Sequence, residues 1–324
     1  MTDLEIPTSK WQVEAATLEH APQIQVLFKS VFKQEMSLAQ WHWKYGDDRG
    51  AGAIVRHGNE IIAYYGGTIR RVLFAGKIVC AIQCVDVMVS KAHRGTLSKK
   101  GPFYLAATAF LGRYIGLGRP YLLSFGFPNS RHMRLAERLG LYEEVGTLVD
   151  ISWVAKPDTV FRSVEFNFDC PRHQHIINDL WSSMAGEFAD RCIGVRDLEY
   201  LRHRYHEHPE FNYNCHLVYS KTGETPLGLL VTRQIKNRLL LLDMVTVNRE
   251  IQNMADYGRY LASELNCIDL YGWLTEIDLH LFTSPSITVL ETRLRLPLVV
   301  YREGLKSEEV ADKWFFMCGD SDFL

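Results

Sequence analysis

The chain has no basic excess, no long apolar run and no cysteine framework. Lys and Arg number 36 against 38 Asp and Glu, a formal net charge of -2. That balance lacks the cationic footprint of a nucleic-acid binder. The longest apolar candidates, residues 61–68 and 239–247, fall far short of the roughly 20 residues that span a membrane, and they read as buried strands. Residues 1–10 contain no apolar core of the secretory type. The seven cysteines, at 80, 84, 170, 192, 215, 267 and 318, are odd in number and form no CxxC. A disulfide framework and a metal site are therefore not expected. Together these absences describe a cytoplasmic protein with reduced thiols.

What is present is an ordinary globular balance. Hydrophobic residues make up 47% and charged residues 23% of 324, enough chain for two cores. Periodicity predicts helices over residues 14–32 and 37–45, the second capped by Ser37. Hairpins follow around His57-Gly58-Asn59 and Ala75-Gly76. Residues 82–89 form a largely apolar strand, and residues 93–101 a basic, Gly-containing loop. Pro102 opens a helix to 115, where its missing N–H costs nothing. A strand over 121–127 and a helix over 130–139, ended by Gly140, complete the first half. The expected class is α+β, a mixed and mainly antiparallel sheet flanked by helices.

A second half repeats this order. Leu38, Trp41, Lys44 and Tyr45 correspond at constant offset to Leu198, Leu201, Arg204 and Tyr205, and Asp86 corresponds to Asp243. Helices are expected over 253–265 and 284–294, and residues 158–171 read as the connection. The expected division is 1–157 and 158–324. His203, His206 and His208 read as exposed helix residues, because no carboxylate or cysteine completes a ligand set. Trp41 and Trp43 read as core and rim. The closing aromatics and acids, residues 314–324, fit either a packed strand or a segment reaching back to a cleft.

Two motifs carry a resemblance. Val85-Asp86-Val87-Met88-Val89 runs into His93-Arg94-Gly95-Thr96-Leu97-Ser98-Lys99-Lys100-Gly101-Pro102-Phe103. Further on, Phe127-Pro128-Asn129-Ser130-Arg131 opens a helix that closes on Leu139-Gly140-Leu141-Tyr142. The first half thereby resembles the GNAT superfamily of acyl-coenzyme A N-acyltransferases. In that family a central strand enters an Arg/Gln-x-x-Gly-x-Gly/Ala loop and a helix, and the N–H groups at the helix start hold a pyrophosphate. Here the loop is longer than the motif.

The resemblance implies that Arg94, Gly95, Lys99, Lys100 and Gly101 cradle the phosphates. It also implies that the backbone of Val87, Met88 and Val89 holds the pantetheine arm and polarises the thioester, and that Asn129, with Arg131 beside it, contacts pantetheine. Many members carry a Tyr seven residues after this Asn, as the acid for the leaving thiolate. This chain has Ala136 there, which leaves Tyr142 as a candidate. Asp86 and Glu35 are the candidates for the base.

The implied reaction moves an acyl group, expected to be acetyl, from acyl-coenzyme A to an amine of a small molecule, amino sugar or peptide. The alternatives are a non-catalytic coenzyme A-binding module and an aminoacyl-tRNA-dependent transferase, since paired domains with one working site resemble the Fem-type enzymes. The second half has no glycine or lysine pair over 248–253 and is expected to hold no coenzyme A.

Overall fold

The computed structural model describes residues 10–95 and 98–324. The leader reading over residues 1–9 and the Thr96-Leu97 part of the basic loop lie outside the described residues.

The first half runs β1 (Gln12–Ala15), α1 (Ala21–Phe32), α2 (Leu38–Tyr45), β2 (Gly50–His57), β3 (Glu60–Phe74), β4 (Lys77–Val89), α3 (Pro102–Tyr114), β5 (Leu123–Phe125), α4 (Ser130–Arg138), β6 (Tyr142–Glu144) and β7 (Leu148–Val154). Then come β8 (Phe161–Glu165), α5 (Pro171–Glu187), β9 (Cys192–Gly194), α6 (Leu198–Leu201), β10 (Asn214–Ser220), β11 (Pro226–Ile235) and β12 (Arg238–Thr246). The chain closes with α7 (Ile251–Glu264), β13 (Asp269–Thr275), β14 (Thr288–Glu291), β15 (Pro297–Val299), α8 (Ser307–Val310) and β16 (Trp314–Phe315).

Local chemistry explains the frame. Ser37 Oγ accepts from Gln40 N at 3.0 Å and caps α2. Ala75 and Gly76 both take positive φ, 47° and 73°, the tight turn that suits the twist of the β3–β4 hairpin. Gly67 lets α3 approach β3, because a Cβ there would lie 2.6 Å from Phe110 Cζ.

The two large sheets are mainly antiparallel, and β6 and β15 form a separate two-stranded one. The first orders β1-β2-β3-β4-β5, with β4 and β5 parallel, and β9 adds to the far end of β3 with β16 beside it. Its faces carry separate cores. One packs α3 and α4 through Phe110, Leu111 and Met133; the other packs α1 and α2 through Ile24, Leu27 and Trp41. The second sheet orders β14-β7-β13-β12-β11-β10-β8, with β12 and β13 parallel. Residues 239–246 of β12 are buried without alternation, which requires cover on both faces. α5 and α7 pack on this sheet.

The halves exchange strands. β7, ahead of residue 157, pairs with β13 of the second sheet, whereas β9 and β16 belong to the first. Three sequence expectations change. Residues 161–165 of the expected connection form a strand. The expected helix over 284–294 is a turn followed by β14, because Thr288 and Val289 pair with β7 and β-branched residues suit that edge. Finally, β1 occupies the start of the expected first helix, and α1 begins only at Ala21, ahead of Pro22.

Candidate functional site

β4 is the axis of the site. Its parallel pairing with β5 ends at Gln83 opposite Phe125. Residues 126–129 then turn away, and Asn129 and Ser130 meet Leu294 and Arg293 instead. From Cys84 to Val89, β4 keeps β3 on one edge, and no strand among the described residues pairs with the other. Within that stretch β4 bulges. The register against β3 shifts between Tyr64 and Gly66, and Asp86 sits at φ 52°, a left-handed geometry that Asp tolerates better than most residues. Val87, Met88 and Val89, the expected thioester-facing segment, follow directly.

On the α3 and α4 side, basic groups gather at the mouth of this opening. Arg94 Nε donates to Val89 O at 2.9 Å. Gly101 is the N-cap of α3 and brings no side-chain acceptor to the helix start. Asn129 Oδ1 accepts from Arg131 N at 3.1 Å and His132 N at 3.0 Å, so the expected pantetheine contact is also the cap of α4. His132 lies parallel to Phe103, with ring centroids 6.4 Å apart. Burial, then Arg131 and Arg94, hold its pKa below the usual histidine value. The structure therefore brings together Arg94, Arg131 and the starts of α3 and α4. His132 is a member the sequence reading passed over. Lys99 and Lys100 are exposed on the approach to α3, where Lys100 N donates to Ser98 Oγ at 3.3 Å.

On the α1 and α2 side, the Asp86 side chain is only 8% exposed. It accepts Tyr45 Oη at 2.5 Å and Lys44 Nζ at 2.7 Å. The same ammonium reaches Asp322 Oδ2 at 2.6 Å. One cation thus serves two carboxylates. Burial pushes the Asp86 carboxyl above its ordinary range; Lys44 opposes this and Asp322 adds to it. Lys44 and Asp322 line a cavity of about 400 Å³ between the halves. Trp43 forms part of its rim, stacked on His203 with its indole N–H on His203 O at 2.8 Å.

The other candidates stand apart from this trio. Glu35 is exposed and bound to Lys29, whose ammonium lowers its pKa, and it lines no part of the cavity. Tyr142 is buried and hydrogen-bonded to Tyr65, and burial pushes its phenol far up. The expectation of three exposed histidines holds for His206 and fails for the other two: His203 is half-buried against Trp43, and His208 is 8% exposed and packs against Trp43 and Phe211. No cluster of metal-ligating side chains occurs among the described residues.

The second sheet also has a parallel pair, β12 and β13. β12 and β13 part after Leu240 and Tyr271, but the gap is filled. Cys318 Sγ accepts from Trp273 N at 3.1 Å, Thr275 N donates to Phe316 O at 3.2 Å, and Met317 bridges Leu274. At the start of α7, Glu250 is the N-cap, and Glu187 accepts from Asn248 N at 2.6 Å. Two carboxylates thus stand at the start of α7.

No family model matches the sequence, and no curated protein matches it. Solved structures do resemble it. A protein of Enterococcus faecalis V583 described as a probable N-acyltransferase aligns with TM-score 0.66 at 14% identity, over 90% of this chain and 73% of that one. A GCN5-related N-acetyltransferase from Anabaena variabilis aligns at 0.59 and 10%, over 90% and 73%. Saccharomyces cerevisiae N-myristoyltransferase, solved with bound myristoyl-CoA, aligns at 0.56 and 11%, over 92% and 82%. At these identities the likeness is one of fold: the chain has the architecture of GNAT-type N-acyltransferases.

Proposed function

We propose that the protein transfers an acyl group, acetyl in the simplest case, from acyl-coenzyme A to an amine by direct attack in a ternary complex. The observation that carries this reading is the open edge of β4 past Gln83. It lies between a phosphate-suited group on one face of the sheet and the Asp86–Lys44–Asp322 trio on the other. Arg94, Arg131 and the start of α3 hold the pyrophosphate by charge-assisted and helix-end hydrogen bonds. Lys99 and Lys100 add charge along the approach. The β4 segment 87–89 supplies backbone donors for the pantetheine arm and the thioester carbonyl, a contribution of about 3 kcal/mol for one well-placed donor.

The amine nitrogen attacks the carbonyl carbon, the C–S bond breaks, and the nitrogen gives up a proton. Asp86 takes that proton, with Asp322 as the trio's face to the cavity. Holding two carboxylates on one ammonium suits the trio to accept it. Tyr142 is not the acid in this scheme, because a buried phenol with so high a pKa does not protonate a thiolate. The thiolate takes its proton from solvent.

The second half is read as a repeat of the first. Each runs four antiparallel strands and then one parallel partner, β1-β2-β3-β4-β5 against β8-β10-β11-β12-β13. The filled gap and the acids at α7 support its having lost coenzyme A binding.

The test is thiol release from acetyl-coenzyme A with a panel of amines, followed against pH. Turnover is expected, with kcat/KM falling on the acid side at a pH above the ordinary carboxylate value of about 4. The sign follows from the base, which works only ionised, so rate is lost as pH drops through its raised pKa. Asp322→Asn removes a charge that raises Asp86 and moves that limb to lower pH. Coenzyme A binding without thiol release by any amine would favour a non-catalytic module.

A further inference from the structure

We infer that the cavity between the halves selects an acceptor amine that carries an anionic group, a carboxylate or a phosphate, held by Arg49 and Arg70. This rests on the acyl-transfer reading above. The cavity, of about 400 Å³, suits a small metabolite. Its cations outnumber its carboxylates, and what matters is which of them are already satisfied.

Lys44 is engaged by Asp86 and Asp322. Arg71 forms a two-pronged pair with Asp197 at 2.8 and 2.7 Å and reaches Glu199 at 3.0 Å. Arg202 bonds Phe168 O and, at 3.2 Å, Asp169 outside the cavity. Arg204 is buried and donates to the carbonyls of Gly319, Ser321 and Leu324. Two guanidiniums remain.

Arg49 is exposed, and its Nη1 lies 2.7 Å from His203 Nδ1. Among the described residues, no carboxylate lies within ion-pair distance of it. Arg70 donates to the neutral Gln83 Oε1 at 2.9 Å and lies over the Tyr200 ring. Its nearest carboxylate oxygen is Asp320 Oδ1 at 3.8 Å, beyond hydrogen-bond reach, and the other Asp320 oxygen is held by Arg196 at 2.7 Å. Asp48 and Glu207 also line the cavity, and Glu207 comes within 3.8 Å of His203 Nδ1. They do not close on either arginine.

His203 completes the subsite. With Nδ1 turned to Arg49, its other nitrogen carries the proton and is a donor. Burial and the neighbouring arginines hold its pKa down to about 4, so it stays neutral beside them. Two cations, Arg49 without an ion pair and Arg70 in only a long 3.8 Å pair with Asp320, and a neutral donor offer strong bonds to a planar carboxylate or a phosphate. The anion end is tied to Gln83 through Arg70. Val87 lies four residues further along β4, past the bulge at Asp86. A small amine anchored at Arg49 and Arg70 therefore presents its nitrogen toward the bulge and the Lys44–Asp322 wall.

The test is calorimetric titration of matched amines into the full-length protein, with and without coenzyme A. 4-Aminobutyrate is compared with butylamine, O-phosphoethanolamine with ethanolamine, and glucosamine 6-phosphate with glucosamine. At least one anionic member is expected to bind more tightly than its match by about tenfold, the ratio that 1.4 kcal/mol gives. The first pair reports a carboxylate preference, the other two a phosphate preference. Arg49→Gln and Arg70→Gln should each erase the preference, with coenzyme A titration and circular dichroism reporting that the fold is intact. Equal binding within every pair, no binding by any of the six, or a preference that survives both substitutions overturns the inference. Coenzyme A titrated alone separates the two readings. Coenzyme A binding without anion preference defeats this inference only; anion preference without coenzyme A binding defeats acyl transfer only.

Discussion

Asp86 accepts Tyr45 Oη at 2.5 Å, and Asp243 accepts Tyr205 Oη at 2.9 Å. Each aspartate also shares a cation with an acid of the C-terminal segment. Asp86, Lys44 and Asp322 form one trio; Asp243, Arg196 and Asp320 form the other. Their settings differ. The second trio is 0–1% exposed, sealed and structural, whereas the first borders the cavity. Arg196→Met would leave two buried carboxylates without their cation, at a cost of about 3–5 kcal/mol. The check is the urea midpoint at unchanged slope; an unmoved midpoint would contradict the structural role. The Tyr and Asp correspondences are legible in the sequence because the two halves share a similar order of patterns around them. Their acid partners are not, since Asp322 meets Lys44 across 278 positions and no local period reports such a contact.

At the scale of elements, the β3–β4 hairpin is legible from Ala75-Gly76 and the α4 start from Asn129, because turn and cap chemistry are local. The bulge of β4 is not. Asp86 looks like any strand residue, and its positive φ goes with bonds to Tyr45 and Lys44 from another element. β14 is misread for a related reason: a short apolar run carries both periods until its partner β7 is known. Asn129 permits a clean separation of roles. Asn129→Ala loses the cap on Arg131 N and His132 N and should cost about 1 kcal/mol, with weaker coenzyme A binding. Asn129→Asp keeps the cap but sets a negative charge at the mouth, so thermal stability should hold while coenzyme A affinity falls. Equal affinity in wild type and Asn129→Asp would remove this helix start from the site.

Across the whole molecule, strand exchange and the C-terminal segment join the halves. β7 crosses to the second sheet, β9 and β16 cross to the first, and residues 316–318 fill the gap between β12 and β13. A likeness between the patterns of the halves is legible in the sequence, but such crossing is not, because a strand's pattern does not name the sheet it joins. One opening remains beside β4, and the gap between β12 and β13 is closed by the chain itself. The central claim is that the opening beside β4 holds coenzyme A and the second half does not. Calorimetric titration of coenzyme A into wild type, an Arg94→Glu/Arg131→Glu variant and an Arg249→Glu control at the start of α7 tests it. One site per chain is predicted, lost in the double variant and intact in the control. Two sites, or a site lost only in the control, would contradict the account.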